Sequence, residues 1–179
     1  MMKRIVDLLV ATTLLVVLLP VAVIIAIVVK LGSSGPAIHA SRRVGKGGRI
    51  FAHYRFRTMA GQPPEATRFG RAIGNLSLDE IPGLWNVIRG DLSLIGPRAA
   101  KPEEVVPADT DWQKVLSVRP GLSGLGVITF LNIYNQTPVG ERIKPEVYYI
   151  EHRSASLDIR LMAKTLFLLV KLGHLKGRV

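Results

Sequence analysis

Cysteine is absent from the 179 residues, which excludes disulfides and thiolate metal sites and leaves the redox compartment open. Histidine is sparse, and His39, His53, His152 and His174 have no metal-ligand spacing, so no structural zinc site is expected. Acidic residues are few, 13 against 24 Lys and Arg, and none occurs between Asp7 and Glu65. The resulting formal charge of +11 and pI near 10.4 suit an anionic partner: nucleic acid, an acidic leaflet or a phosphorylated substrate. Internal repeats and low-complexity tracts are also missing, and nothing signals a second soluble domain.

What the chain has in excess is one apolar run, Leu8 to Val29, interrupted only by Thr12, Thr13 and Pro20. At about 1.5 Å per residue it measures roughly 33 Å as a helix, enough to cross a hydrocarbon core of about 30 Å. Pro20 removes a backbone donor and clashes with the preceding turn, which predicts a bend or break between Val16 and Pro20. Lys3 and Arg4 precede the run, and Lys30, Arg42, Arg43, Lys46, Arg49, Arg55 and Arg57 follow it. Two basic flanks favour the same cytoplasmic side, which a re-entrant helix-break-helix satisfies; a single tilted span is the alternative. A cleaved signal peptide is not expected, because the run is too long and no small-residue cleavage site precedes Lys30.

Beyond the Gly32-Ser-Ser-Gly-Pro36 turn, residues 37 to 59 predict two short strands around Gly45-Lys-Gly-Gly48. That glycine cluster lacks Walker spacing and reads as a hairpin turn. Thr67 to Ile73 predicts a short basic helix capped by Thr67. Ser77 reads as the N-cap of a further helix carrying Asp79, Glu80, Leu84, Val87 and Ile88, with Ser77 and Glu80 forming a capping box. Asp109 to Val118 predicts a helix ahead of the Arg119-Pro120-Gly121 turn. Residues 126 to 147 show no period, so short strand or irregular structure is expected there. Leu157 to Leu172 predicts an amphipathic helix with Arg160, Lys164 and Lys171 opposite Leu161, Met162, Leu166, Leu169 and Val170. It suits the headgroup region of a membrane or, equally, a core helix with a solvated basic face.

The chemistry is expected at Asp79 and Glu80. Magnesium accepts one or two carboxylates and completes its octahedron with water and substrate phosphate, and a carboxylate beside it can attack phosphorus. The competing reading is that both acids favour the positive end of a helix dipole. Arg98, on the Gly96-Pro97 turn, offers a planar fork for phosphate oxygens; its alternative is an ion pair with Asp91 or Glu80. Arg55 and Arg57 add positive potential or face solvent or lipid, and Arg42 and Arg43 are assigned to lipid headgroups.

The blocks Lys3-Arg4-Ile-Val-Asp7, Gly35-Pro36, Arg43-Val-Gly-Lys46, Arg55-Phe-Arg-Thr-Met59, Thr67-Arg-Phe-Gly-Arg71, Leu76-Ser-Leu-Asp-Glu80, Gly90-Asp-Leu-Ser93, Gly96-Pro-Arg98, Arg119-Pro-Gly121 and Leu157-Asp-Ile159 run through nearly the whole chain. Their order resembles that of the bacterial monotopic phosphoglycosyl transferases. The resemblance implies a membrane enzyme that moves a sugar 1-phosphate from a UDP-sugar to undecaprenyl phosphate and releases UMP, the first membrane step of cell-surface glycan assembly. It implies Asp79 as nucleophile, Glu80 in metal and proton handling, Arg98 on phosphate, Mg2+ as cofactor, and the cytoplasmic face of a bacterial inner membrane; a homodimer is left open.

The expected fold is α/β: a helix-rich, single compact membrane-associated domain with a small β-hairpin, interfacial amphipathic helices and an N-terminal re-entrant helix. Residues 1–31 would form that membrane helix and 32–179 the cytoplasmic-face catalytic domain, with its interfacial helix at 157–172. Several positions depart from the family's usual pattern. Leu19 precedes Pro20 where Ser is common, Gly74 stands where many members have Arg, Arg55 replaces a common Lys, and Ala99 replaces a frequent Pro. The segment after Gly124 lacks the common Trp-Gln-Val-Asn-Gly-Arg run, which exposes donor-sugar recognition most. A non-catalytic membrane scaffold of a glycan-assembly complex is the alternative function. Nucleic-acid binding rests on charge alone and is not expected.

Overall fold

The computed structural model describes residues 2–32, 34–130, 133 and 136–176, with side chains described as far as residue 169. Helix α1, Met2–Gly32, is a single uninterrupted helix that contains Pro20. Of the bend or break expected at Pro20, the break does not occur, although proline costs the helix one backbone bond. Packing accounts for the continuity: Ala11, Leu15, Leu18, Ala22, Ile25 and Val29 form one stripe at helical spacing on the main apolar cluster, and the stripe passes through the proline turn unshifted. The remaining faces carry Leu9, Leu14, Val16, Val17, Leu19, Val23, Ile24 and Ile27, all exposed. Each such side chain left in water forgoes about 1.5–3 kcal/mol of burial, so this surface belongs against lipid or another apolar body.

Both ends of α1 are fastened to the same folded body. At its start, Arg4 donates to the carbonyls of Val87 (2.6 Å) and Ile88 (2.9 Å), and buried Asp7 accepts from Ser93 Oγ (2.7 Å) and Leu94 N (3.2 Å). Lys3 bonds the Ile95 carbonyl and Asp158. At the far end Arg57 reaches the Val29 carbonyl (3.5 Å) and donates to the Ser34 carbonyl (2.6 Å).

The predicted hairpin forms: β1 (Ile38–Val44) and β2 (Ile50–Phe56) are antiparallel across a turn at Lys46–Gly48. A two-residue ladder, β3 (Met59–Ala60) with β4 (Glu65–Ala66), leads to α2 (Arg68–Asn75), whose cap is Thr67, with Oγ1 accepting from Gly70 N at 2.8 Å. The next helix differs from expectation. Leu78–Glu80 is an isolated 3-10 turn and α3 is Gly83–Arg89, with Pro82 ahead of it. Ser77 sits in the left-handed region at φ 53° and makes no side-chain cap, so no capping box forms.

Strand β5 (Ser93–Ile95) pairs in parallel with β6 (Gly121–Ser123) through a crossover that holds α4 (Thr110–Leu116). Asp109 caps α4 by accepting from Asp111 N and Trp112 N. Residues 126 to 147, expected to be strand or irregular, instead contribute to α5 (Leu125–Phe130) and α6 (Val139–Glu151). The period is hidden because α5 is short and α6 carries Pro145 inside it.

Helix α7 (Ala155–Lys176) buries Leu161 and partly buries Met162 and Leu168, while Ile159, Leu166 and Phe167 are exposed beside Arg160 and Lys164. It is thus a core helix with a second, solvent-facing apolar side. The side chains of Val170 and Lys171 lie outside the described residues.

Candidate active site

The hairpin register places the site. Arg43 is opposite Phe51, Ser41 opposite His53 and His39 opposite Arg55, so Arg43, His53 and Arg55 share one sheet face. Helix α3 is clamped to the edge of β2 by Asn86, which is fully buried: its Oδ1 accepts from Tyr54 N (3.0 Å), and its Nδ2 donates to the Ala52 carbonyl (2.8 Å) and Asp91 Oδ2 (3.2 Å). The clamp brings the Leu78–Glu80 turn onto β2. Glu80 Oε1 lies 2.7 Å from Arg55 Nη2, and Glu80 Oε2 lies 3.5 Å from Nε2 of the buried His53.

The two adjacent carboxyls are driven apart. Burial, then the charge of Glu80, raises Asp79 from 3.8 to about 6, with Arg55 opposing. For Glu80 burial also acts upward, but the His53 contact and the charges of Arg55 and Arg98 outweigh it and the net shift is downward. Glu80 is a held, ionised partner of Arg55, and Asp79 is the more basic carboxylate of the pair. An acidic helix start explains neither, since the pair precedes α3 and Glu80 is spent on Arg55 rather than on a cap.

Arg98 enters from the opposite side on a backbone with almost no freedom. Gly96 N donates to the Ser123 carbonyl (2.9 Å), Gly121 N donates to the Pro97 carbonyl (2.8 Å), and Arg98 bridges Gly121. A Cβ on Gly121 would collide with Gly96 N, and one on Gly124 with the Gly96 carbonyl, so these backbones approach as only glycine permits. Arg98 N donates to Glu146 Oε1 (3.1 Å). Burial raises the Glu146 carboxyl to about 7 against the pull of the Arg98 and Gly126 amides, and its Oε2 has no hydrogen-bond partner.

The charge of Arg98 acts on Glu80, Arg43 and Glu146, which locates it among them. Of the acids expected as its alternative partners, Asp91 is paired with Arg89 at 3.6 Å and bonded by Asn86, and Glu80 is paired with Arg55 while also feeling the charge of Arg98.

Two assignments change. Arg43 does not face lipid: it is half-buried, donates to the Ala99 carbonyl (3.2 Å), and burial with the charges of Arg98 and Arg55 lowers its pKa. Arg57, expected on phosphate, spends its guanidinium on the Val29 and Ser34 carbonyls at the end of α1. The strand alternation on β1 and β2 carried the signal for Arg43 and His53. No pattern in the sequence pointed to Glu146 or Asn86.

Arg55 acts on both carboxyls of the pair and Arg43 and Arg98 act on Glu80, so three guanidinium charges gather at the Asp79–Glu80 pair, an arrangement that suits a polyanion. Among the described residues no group of three or more His, Asp or Glu is placed to hold a metal. Magnesium fits here through Asp79, because the like charge of Glu80 beside it is relieved by a cation and the other ligands can be substrate oxygens and water. Glu80 is a poorer ligand while Arg55 and His53 hold it.

Comparison with known proteins gives the family. Residues 1–172 match the family model for the bacterial sugar transferases. A UDP-N-acetylgalactosamine-undecaprenyl-phosphate N-acetylgalactosaminephosphotransferase of Aeromonas hydrophila is 32% identical, over 92% of this chain and 42% of the relative. An undecaprenyl-phosphate glucose phosphotransferase of Komagataeibacter xylinus is 31% identical, over 92% of this chain and 35% of the relative. A UDP-glucose:undecaprenyl-phosphate glucose-1-phosphate transferase of Caulobacter vibrioides is 31% identical, over 91% and 67%. The chain thus spans about two fifths of the length of the first of these relatives and most of its own length is shared with each. With the match covering all but the last residues, the chain belongs to the bacterial sugar transferase family.

Proposed function

We propose that this chain transfers a sugar 1-phosphate from a UDP-sugar to undecaprenyl phosphate at the cytoplasmic face of a bacterial inner membrane. The observation that carries the reading is Asp79, a carboxylate of raised basicity beside Arg55, with Arg43 and Arg98 acting on the adjoining Glu80. An Asp79 oxygen attacks the phosphorus that bears the sugar, the bond from that phosphorus to the UMP oxygen breaks, and UMP leaves. A phosphate oxygen of undecaprenyl phosphate then attacks the same phosphorus, the bond to Asp79 breaks, and the carboxylate is restored. The arginines offset the charge that would repel each anionic nucleophile, and Glu80 holds the Arg55 fork toward the site. Asp79 would hold a magnesium ion, which would supply charge neutralisation for the leaving phosphate.

The relatives named above act on different sugars, so the sugar is the open variable. Detergent-purified protein incubated with magnesium, undecaprenyl phosphate and a panel of UDP-sugars is expected to release UMP from one or a few donors, and only with lipid phosphate present. Silence across the panel by folded protein would overturn the transferase reading in favour of a scaffold.

The membrane seat is monotopic, with α1 bent at Pro20 rather than broken and both its ends on the cytoplasmic side. Fastening of Lys3, Arg4 and Asp7 to the same body that holds Val29 supports this. The natural lack of cysteine makes the test direct. Single cysteines at the exposed positions Met2 and Leu31 are expected to react with an impermeant maleimide from the same face of sealed vesicles. Labelling from opposite faces would establish a span.

A further inference from the structure

A cavity of about 720 Å³ lies apart from Asp79, Glu80 and Arg98, none of which lines it. It lies between the first turns of α1, the first turns of α7, strand β5 and the loop 117–119. Its size falls within the roughly 300–1,000 Å³ of ligand sites. Five basic side chains and two carboxylates line it, and the carboxylates are already satisfied. Asp7 is bonded to Ser93 and Leu94, and Asp158 to Lys3 and to Tyr149 Oη at 2.6 Å. Arg4 is spent on two α3 carbonyls, and Arg119 donates through Nε to the Gly90 carbonyl at 2.9 Å. Lys46 and Arg153 line the cavity without an ion pair among the described residues.

The rest of the lining mixes Ser93, Ser117, Ser154 and Tyr149 with apolar side chains, Val6, Ile159 and Met162 among them, and Val6 and Ile159 continue into the exposed apolar surfaces of α1 and α7. A cavity lined by five basic side chains and opening beside exposed apolar side chains of α1 and α7 matches a molecule with an anionic head and hydrocarbon tails.

We propose that this cavity binds an anionic phospholipid of the bilayer, its phosphodiester against Lys46 and Arg153 and its chains along Val6, Ile159 and Met162. The site is separate from the transfer site. It rests on the membrane placement of α1 and not on the transfer activity. Charged side chains at a membrane surface each contribute about 1 kcal/mol toward acidic lipid, so losing two corresponds to roughly 10- to 30-fold weaker retention.

Native mass spectrometry of protein purified in micelles with equal phosphatidylglycerol and phosphatidylcholine tests the proposal. The wild type is expected to retain one phosphatidylglycerol in preference, and Asp79→Asn to do the same. Lys46→Gln and Arg153→Gln are each expected to weaken that retention, and the double variant to lose it by the stated factor with its circular dichroism unchanged. Equal retention of the two lipids, or undiminished retention by variants with wild-type circular dichroism, would overturn the site. Displacement of phosphatidylglycerol by equimolar undecaprenyl phosphate, or by millimolar inorganic phosphate, would also overturn it, assigning the cavity to the acceptor or to free anion. Binding of wild type to pure phosphatidylcholine vesicles reads the membrane placement independently of the headgroup.

Discussion

Asp79→Asn is expected to stop sugar-phosphate transfer, by on the order of 10⁴-fold or more for loss of a nucleophile, while making the metal-free protein more stable at neutral pH. The two effects share a cause. Burial and the neighbouring Glu80 hold Asp79 at about 6 in the folded protein against an ordinary 3.8. Between those values the folded state binds more protons than the unfolded one, so stability falls as pH rises from about 4 through 6, and the penalty is complete above that window. Its ceiling is about 3 kcal/mol at 1.36 kcal/mol per pH unit, and partial solvation of the side chain reduces it to about 1–2. Asparagine removes the titration, so the gain is largest above pH 7 and vanishes below about pH 4.

The neighbour carries the opposite sign. The carboxyl of Glu80 is shifted downward, so its stabilisation is present above the unfolded value of 4.5 and is lost as pH falls. Glu80→Gln is therefore expected to destabilise at neutral pH. Thermal unfolding in detergent with chelator, at pH 5 and pH 8, reads both signs. An Asp79→Asn variant no more stable than wild type at pH 8 would show that the site does not strain this carboxylate, and one that retained turnover would remove it from the chemistry.

The second large effect is expected at Asn86, where alanine should cost about 3–5 kcal/mol. The substitution leaves the Tyr54 N–H and the Ala52 carbonyl without their partners in a closed interior, at about 1–3 kcal/mol each, and opens a cavity beside Val87. For a chain of this size that corresponds to roughly 6–20 °C in melting temperature. Activity should fall further than the folded fraction, because β2 carries His53 and Arg55 and is held to α3 through this one amide. Asn86→Asp keeps the acceptor for Tyr54 but faces Asp91 with a second carboxylate, so it separates the amide's two halves. A melting temperature within 2 °C of wild type for Asn86→Ala would refute the clamp.

The elements legible in the sequence are those whose signal is local. The β1–β2 hairpin follows from its glycine turn, α2 from the cap Thr67, α4 from its place ahead of the Arg119-Pro120-Gly121 turn, and α7 from its apolar period. The pair Asp79 and Glu80 and the turn at Arg98 were visible as chemistry in an ordered set of motifs.

What was not legible depends on distant partners. Ser77 followed by Glu80 has the form of a capping box, yet Arg55 and His53 from another element claim the glutamate. Pro20 reads as a breaker, yet a stripe docked on the core carries the helix through. Arg43 and Arg57 are both basic residues after an apolar run. One turns inward to the site and the other closes a helix end, a choice made by strand parity and tertiary contact rather than by residue type. Glu146 becomes notable only because α6 delivers it to the Arg98 amide.

The bond from Lys3 to Asp158 joins residues 155 apart in the chain. Translation at about 5–20 residues per second therefore leaves the first helix waiting on the order of 10–30 s for the residue that ties it down. Through that interval α1 is an apolar helix whose anchoring partners, the carbonyls of Val87, Ile88 and Ile95 and then Asp158, arrive one after another. In this order of synthesis the bond from Lys3 to Asp158 is among the last that can form, and it fixes a helix whose apolar faces are complete long before.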